Sequence, residues 1–324
     1  MSVAAAPSRF HVSSDLVSLG YRVLVVLALC IALSFVSDAF ATFANLLNVA
    51  RQASLIFLIA AGLTLVILTA GLDLSIGVNV GLSACIAATA LKASGSPALG
   101  VLAAIACGSA IGMANGLLIT LLRLPSFIAT YGMLWMVQGY TYYYMAGGTL
   151  YGFPESFRAI GSGHFLSVPI PVFLMVGFLI LGAVFLRRTT WGHEIYAIGA
   201  NPAAARLSGI PVRKRLVLVY TACGAMCGLA AIVYLARLNS AEADIGESLL
   251  LPAIAAPLIG GTSLFGGVGT LSGTLAGALI LTLVLNGMNL LTINANWQPF
   301  VTGLIVLIAM FFDTLARQHA ESRA

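Results

Sequence analysis

Asp73 is the one carboxylate in this chain with long apolar runs on both sides. An ionisable group in that setting marks a path for solute or ions by default. It is also a natural N-cap for the helix that starts after it. Both roles stay open, and the cap and helix-break role is favoured over solute contact. Asn115, Asn286 and Asn289 are amides inside apolar runs. Each can line a polar path or hydrogen-bond between helices, and for a single amide the interhelical bond is the commoner use. Asn286 and Asn289 lie three residues apart and share a helix face, which favours the path for that pair. These four residues, Asp73, Asn115, Asn286 and Asn289, are the candidate lining of a translocation path.

Other chemistry is missing from the sequence. There is no G-x-x-x-x-G-K-[ST] loop, and the glycine-rich stretch Gly260–Gly269 has no lysine, so ATP binding in the usual cradle is not expected. Neither a G-x-S-x-G elbow nor an H-E-x-x-H pair occurs. His11, His164, His193 and His319 are scattered. Cys30, Cys85, Cys107, Cys223 and Cys227 all lie in apolar runs. Cys223 and Cys227 share a helix face but have no His or carboxylate near them in sequence, so all five read as packing residues rather than ligands or disulfides. No catalytic residue, cofactor or metal is expected. Few ionisable residues sit at membrane depth, which argues against a proton relay. A pump built from this chain needs an energy source outside it.

The elements that must hold these residues are set by composition. The 324 residues are 60% hydrophobic and only 8% charged, with a mean hydropathy of +1.04. Soluble domains carry about 25% charged residues, so this surface needs an apolar solvent, the lipid bilayer. Only helices and closed barrels satisfy the backbone there. Barrel strands alternate in polarity over about ten residues, whereas Leu24–Val36, Leu55–Ala70 and Leu216–Ala236 are continuous apolar runs. The expected fold class is all-α: one polytopic transmembrane bundle over residues 1–324. About ten spans are expected, at 19–37, 53–70, 76–92, 98–121, 126–145, 170–186, 216–236, 251–264, 270–291 and 298–313. The 251–264 stretch is short and reads as a broken or re-entrant helix. Arg9 and Arg22 before the first apolar run, with Ala39-Phe40-Ala41 after it, resemble a signal peptide. The run is long enough to span, and an uncleaved helix is the preferred reading.

Orientation follows from charge. Residues 187–215 hold Arg187, Arg188, Arg206, Arg213, Lys214 and Arg215 against Glu194 alone. The positive-inside rule puts this connection in the cytoplasm. The next one carries Glu242, Asp244 and Glu247 beside Arg237 and fits the opposite side. Counting crossings from there places both termini, near Arg9 and Arg22 and near Arg317 and Arg323, in the cytoplasm. The net charge of +5 reports this topology and not nucleic-acid binding.

Two glycine-rich breaks align without a gap. Ala70–Val78 and Gly260–Val268 coincide at Gly71/Gly261, Leu74/Leu264, Gly77/Gly267 and Val78/Val268. Asn115-Gly116 also matches Asn286-Gly287. Residues 53–145 and 251–313 are therefore expected to be repeat halves, and paired broken helices point to a transport path near the bilayer midplane. Glycines at four-residue spacing, at 108, 112 and 116, at 224 and 228, and at 273 and 277, are read as helix-packing positions.

The basic connection contains its own helix. Asn201 suits an N-cap and Pro202 the first helical position; three alanines follow, and Gly209 can close the helix in the left-handed conformation. So short a helix is not stable alone in water. It docks on its own protein, on headgroups or on a partner, and spacing leaves its own protein and a partner evenly balanced.

Six stretches together resemble the permease subunits of bacterial ABC importers for monosaccharides, of the ribose/xylose/galactoside type. They are TAGLDLSIG at 69–77, ANGLL at 114–118, PSFIATYG at 125–132, YAIGANPAAARLSGI at 196–210, AIAAPLIGGTSLFGG at 253–267 and LSGTLAG at 271–277. The resemblance runs in order from about residue 45 to 313. It implies three protein partners: a cytosolic ATP-binding subunit, a second permease copy or paralogue, and a periplasmic solute-binding protein. It also implies that Asn201, Pro202, Ala205, Arg206, Leu207 and Gly209 form a coupling helix seated in the ATPase, which tips the balance toward a partner. The chain would be no enzyme itself and would lie in the bacterial inner membrane. Two departures bear on the solute. Many relatives have acidic residues where this chain has Leu249-Leu250-Leu251-Pro252, and basic residues near Gln138 and Val268. A passive channel or ion-coupled carrier is the alternative; it would share the spans and breaks but has no use for a capped helix in the basic connection.

Overall fold

A computed structural model describes the chain from residue 11 to residue 321. Arg9 and Arg323 lie outside the described residues, as do the side chains of His11, Arg317 and His319. Every apolar stretch picked out in the sequence is a helix: α1 His11–Val36, α2 Phe43–Leu68, α3 Ile76–Ser94, α4 Pro97–Leu121, α5 Ser126–Met145, α7 Ile170–Arg188, α10 Val212–Leu238, α11 Leu250–Ile259, α12 Leu271–Leu290 and α13 Gln298–Glu321. Three shorter helices fill connections: α6 Glu155–Ser162, α8 Thr190–Ala200 and α9 Pro202–Leu207. The only sheet among the described residues is two antiparallel two-residue pairs, Leu150–Tyr151 with Ser240–Ala241 and His164–Phe165 with Val168–Pro169.

Six of these helices, α2, α3, α4, α7, α10 and α12, are long and apolar enough to cross a membrane. That is fewer than the ten spans expected. The described apolar part of α1 (Gly20–Val36) and the apolar stretches Glu247–Ile259 and Ala295–Phe311 are shorter. α5 has 20 residues but spends them on Tyr131, Gln138 and four tyrosines between 140 and 144.

Some ends also move. α2 begins at Phe43 rather than near 53, because Thr42 caps it by accepting from the Asn45 N–H at 3.4 Å. Hydropathy hid that first stretch, which carries Asn45, Asn48, Arg51 and Gln52. The 251–264 segment is helical only to Ile259. Ten residues rise about 15 Å, half of a hydrocarbon core about 30 Å thick. The residues before it complete the descent: Gly246 lies against Gly77 and Gly81, and the Cys85 thiol donates to the Glu242 carbonyl at 3.5 Å. Gly77 is required there, since a Cβ on it would lie 2.5 Å from the Gly246 carbonyl oxygen.

The core is built on α2, α3, α4 and α10. The four-residue glycine spacing makes the tightest seam. Gly108 and Gly112 of α4 meet Gly224 and Tyr220 of α10 backbone to backbone, and any Cβ would collide. Gly273 and Gly277 of α12 meet Ala256 of α11 and Gly260 just past its end in the same way. The two glycine-rich breaks abut: the Gly267 N–H donates to the Leu68 carbonyl at 3.0 Å. This end of the bundle, which also holds residues 187–215, is the basic end. Residues 146–169, 239–249 and 291–297 gather at the other, acidic end, where the Phe153 N–H donates to Asn239 Oδ1 at 2.9 Å.

Candidate functional site

At the acidic end α2, α10, α12, α13 and α11 with the descending segment before it line an open cavity of about 590 Å³. That volume is in the range of small-molecule sites, roughly 300–1,000 Å³. Its polar lining includes Gln52, Tyr234, Arg237, Glu247, Ser248 and Gln298, set among Leu55, Ile56, Leu251 and Pro252. A second recess of about 560 Å³ shares Tyr234, Glu247 and Ser248 and adds Glu242 and Asp244. An aromatic ring with amide, hydroxyl and charged groups around it can hold a compact molecule rich in hydroxyls by stacking and hydrogen bonds.

Two contacts from α5 hold the descending segment in place. Gln138 Nε2 donates to the Ala243 carbonyl at 3.2 Å, and the Tyr142 hydroxyl donates to Glu247 Oε1 at 2.9 Å. Of the sequence departures, Gln138 contacts this segment from α5 and the Leu249–Pro252 stretch joins it to α11, whereas Val268 lies in the second glycine break. The sequence reading used Arg237, Glu242, Asp244 and Glu247 only to orient the chain and missed the cavity. Gln52 and Gln298 were the available signal, as uncharged polar residues bordering apolar runs.

Asp73 lies elsewhere, in the break between α2 and α3, and is 1% exposed. Ser75, not Asp73, occupies the N-cap position of α3. Asp73 Oδ1 accepts from the Ser75 N–H at 2.8 Å and from the Ser75 hydroxyl at 2.6 Å. It thus braces the helix start from two residues upstream. Asn115 of α4 donates to Ser75 Oγ at 2.8 Å and to both Asp73 oxygens at 3.4 Å. Tyr220 of α10 and Thr130 of α5 donate to the Leu72 carbonyl at 3.4 and 3.2 Å. Five elements are therefore pinned at this one break. Gly71 faces Tyr220, whose hydroxyl would lie 2.6 Å from an added Cβ.

The two other amides part company. Asn286 is buried and exchanges two hydrogen bonds with Asn45 of α2, at 3.1 and 2.9 Å. Asn289 is exposed and accepts from Gln298 Nε2 at 2.8 Å. It therefore touches the cavity lining only through Gln298. The structure does not bring Asp73, Asn115, Asn286 and Asn289 together around one space.

At the basic end the local reading of 201–209 holds in detail. Asn201 Oδ1 accepts from the Ala203 and Ala204 N–H groups at 3.0 Å, Pro202 opens α9, and Gly209 has φ +82°. Ala205 is buried with Ile198 and Val212, while Leu207 is 91% exposed. The platform beneath is α8. Gly199 lies against the Leu68 carbonyl and the Gly267 N–H, and the Tyr196 hydroxyl donates to the Gly269 carbonyl at 2.8 Å. Gly261 and Gly267 take φ values of +76° and +73°, which glycine adopts without strain. Both breaks and the α8–α9 unit thus form one contiguous body.

No solved structure matches this chain. Among proteins of known role, it is 41% identical over 295 residues to the ribose import permease protein RbsC of Escherichia coli K12, covering 90% of this chain and 92% of that one. It is 38% identical over 307 residues to RbsC of Bacillus subtilis, covering 94% and 95%. It is 33% identical over 316 residues to the galactose/methyl galactoside import permease protein MglC of Haemophilus influenzae, covering 91% and 93%. Residues 45–310 match the family described as branched-chain amino acid transport system / permease component. That stretch takes in both breaks, the α8–α9 unit and the cavity, and the chain belongs to this family of transport permeases.

Proposed function

We propose that this chain is the membrane-spanning subunit of an ATP-driven ABC importer and carries a small polar solute, a monosaccharide, from the acidic end to the basic end. The observation that carries this reading is α9. It is a capped helix at the basic end with Leu207 almost fully exposed, built on the platform that touches both helix breaks. A movement imposed on α9 would reach Leu68 and Gly267 through α8. In this reading Asn201, Pro202, Ala205, Arg206, Leu207 and Gly209 seat in a cytosolic ATP-binding subunit. A periplasmic solute-binding protein delivers the solute to the cavity at the acidic end. A second permease copy or paralogue completes the path in the inner membrane, with both termini of each chain in the cytoplasm.

The solute assignment rests on the cavity lining and on the sugars named for the relatives. Residues 53–145 and 251–313 serve as repeat halves, since helix, glycine break and helix recur in the same order in α2–α3 and α11–α12. Asp73 and Asn115 anchor the first break instead of meeting the solute, and Asn286 with Asn45 locks α12 to α2.

Replacing Arg206 and Leu207 with Asp tests the coupling role. The double variant should insert and fold normally yet lose co-purification of the ATP-binding subunit and ATP-dependent uptake. Retention of both would sink the assignment. Uptake by the purified chain alone in liposomes, without any ATPase, would instead favour the channel or ion-coupled carrier.

A further inference from the structure

The corner between α7 and α8 forms a separate apolar cavity of about 350 Å³. Its walls include Leu65 of α2, Phe185 of α7, Ile195 of α8 and Leu218 and Ala222 of α10. Trp191 and Arg215 also line it. The Arg215 guanidinium lies 4.1 Å over the Trp191 ring, and its Nε donates to Glu194. Thr189 sets the corner by accepting from the Gly192 N–H at 3.0 Å, which directs α8 away from the line of α7.

Two features decide what fills this slot. α7 is the least enclosed of the long helices, with 17% of its apolar window buried, so the α7 side of the slot borders lipid. The same end of the helices carries Arg187, Arg188, Arg213, Lys214 and Arg215 against one acid, Glu194. Arg187, Arg188, Arg213 and Lys214 are exposed. An apolar slot in a lipid-facing wall takes a hydrocarbon chain, and a basic rim between helices takes a phosphate headgroup. A tryptophan belongs at the level where the two meet. We propose that this slot is a binding site for an anionic phospholipid, with an acyl chain between α7 and α10 and the headgroup phosphate at Arg215 and the neighbouring cations. A free phosphate would use the rim and leave the slot unfilled.

The chain has three tryptophans. Replacing Trp135 and Trp297 with Phe leaves Trp191 as the single reporter. The full chain is reconstituted into phosphatidylcholine vesicles with rising fractions of phosphatidylglycerol or phosphatidylcholine carrying the same brominated chains, which quench a nearby indole. Half-maximal quenching is expected at about a fivefold lower fraction of the glycerol lipid, the scale of one cation–headgroup contact. Ala222→Phe, which fills the slot, should abolish that early quenching. Gln at Arg187, Arg188 and Lys214, all exposed, should bring the two curves together without disturbing packing. Millimolar inorganic phosphate should leave the curves unchanged. Coincident curves in the unmodified slot would overturn the site. So would absence of quenching by either lipid, which means that protein covers the slot, or displacement by free phosphate.

Discussion

Asn45 and Asn286 show how a single polar pair is used inside an apolar bundle. Each amide donates to the other, and Asn45 Nδ2 also donates to the Phe40 carbonyl at 3.0 Å. An amide left alone among hydrocarbon would lose its partners, so the pair fixes the register of α12 against α2. Interhelical bonds of this kind contribute about 0.6 kcal/mol on average and up to about 1.7 kcal/mol. A double-mutant cycle with Asn45→Ala and Asn286→Ala, read by thermal unfolding in detergent, should give a coupling energy in that range. A coupling near zero would mean that the two amides act independently. Asp73 is held more tightly, by Ser75 and Asn115 together. Asp73→Leu leaves the Ser75 N–H and hydroxyl without their acceptor in a buried site, at a cost of about 1–3 kcal/mol. The expected readout is a lowered Tm, with insertion into the membrane retained. The sequence announced Asp73 and Asn286 as unusual, but no spacing could pair Asn45 with a residue 241 positions away.

At the scale of elements, the glycine seams decide which helices lie closest. On α4, Gly112 faces the Tyr220 carbonyl of α10 with no room for a side chain, whereas Gly132 on α5 has nothing within 4 Å of its missing Cβ. Gly112→Val should therefore lower stability by about 1–3 kcal/mol through overpacking. Gly132→Ala should leave it unchanged or raise it by up to about 1 kcal/mol. Equal effects from the two substitutions would show that the α4–α10 seam is not tight. These seams were legible in the sequence because four-residue glycine spacing has one common physical use in membranes. The α9 helix was legible for a similar reason: Asn201, Pro202 and Gly209 each satisfy a local rule of helix termini. The start of α2 was not legible, since Asn45, Arg51 and Gln52 point into the protein and pull the local hydropathy down. Nor was the ten-residue length of α11, whose end depends on Gly260 packing against α12 and not on a change in apolarity.

For the whole molecule, the proposed transport path starts at the cavity at the acidic end. Its lining comes from α2, α10, α11 with the segment before it, α12 and α13, so it exists only when distant parts of the chain have met. That is why the sequence could name the class of transporter, through local motifs, but not the groups that line the cavity. Tyr234→Ala and Glu247→Gln should each raise the KM for uptake about tenfold, the weight of one lost contact of about 1.4 kcal/mol. Coupling to the ATPase should stay intact, and an unchanged KM in both variants would remove the cavity from the transport path. Beneath this cavity the protein closes. Phe57, Leu58, Ile59, Ala60 and Leu63 are fully enclosed, and below them the hydroxyls of Thr64 and Thr274 satisfy each other at 2.8 Å. From Phe57 to Leu68 this stretch rises about 18 Å, and it offers water no continuous file of partners. Between Ser54 and Thr64 no side chain of α2 is polar. In the proposed importer, an apolar plug at this level would let a cell keep many idle copies in its membrane without dissipating the ion gradients that its other machinery depends on.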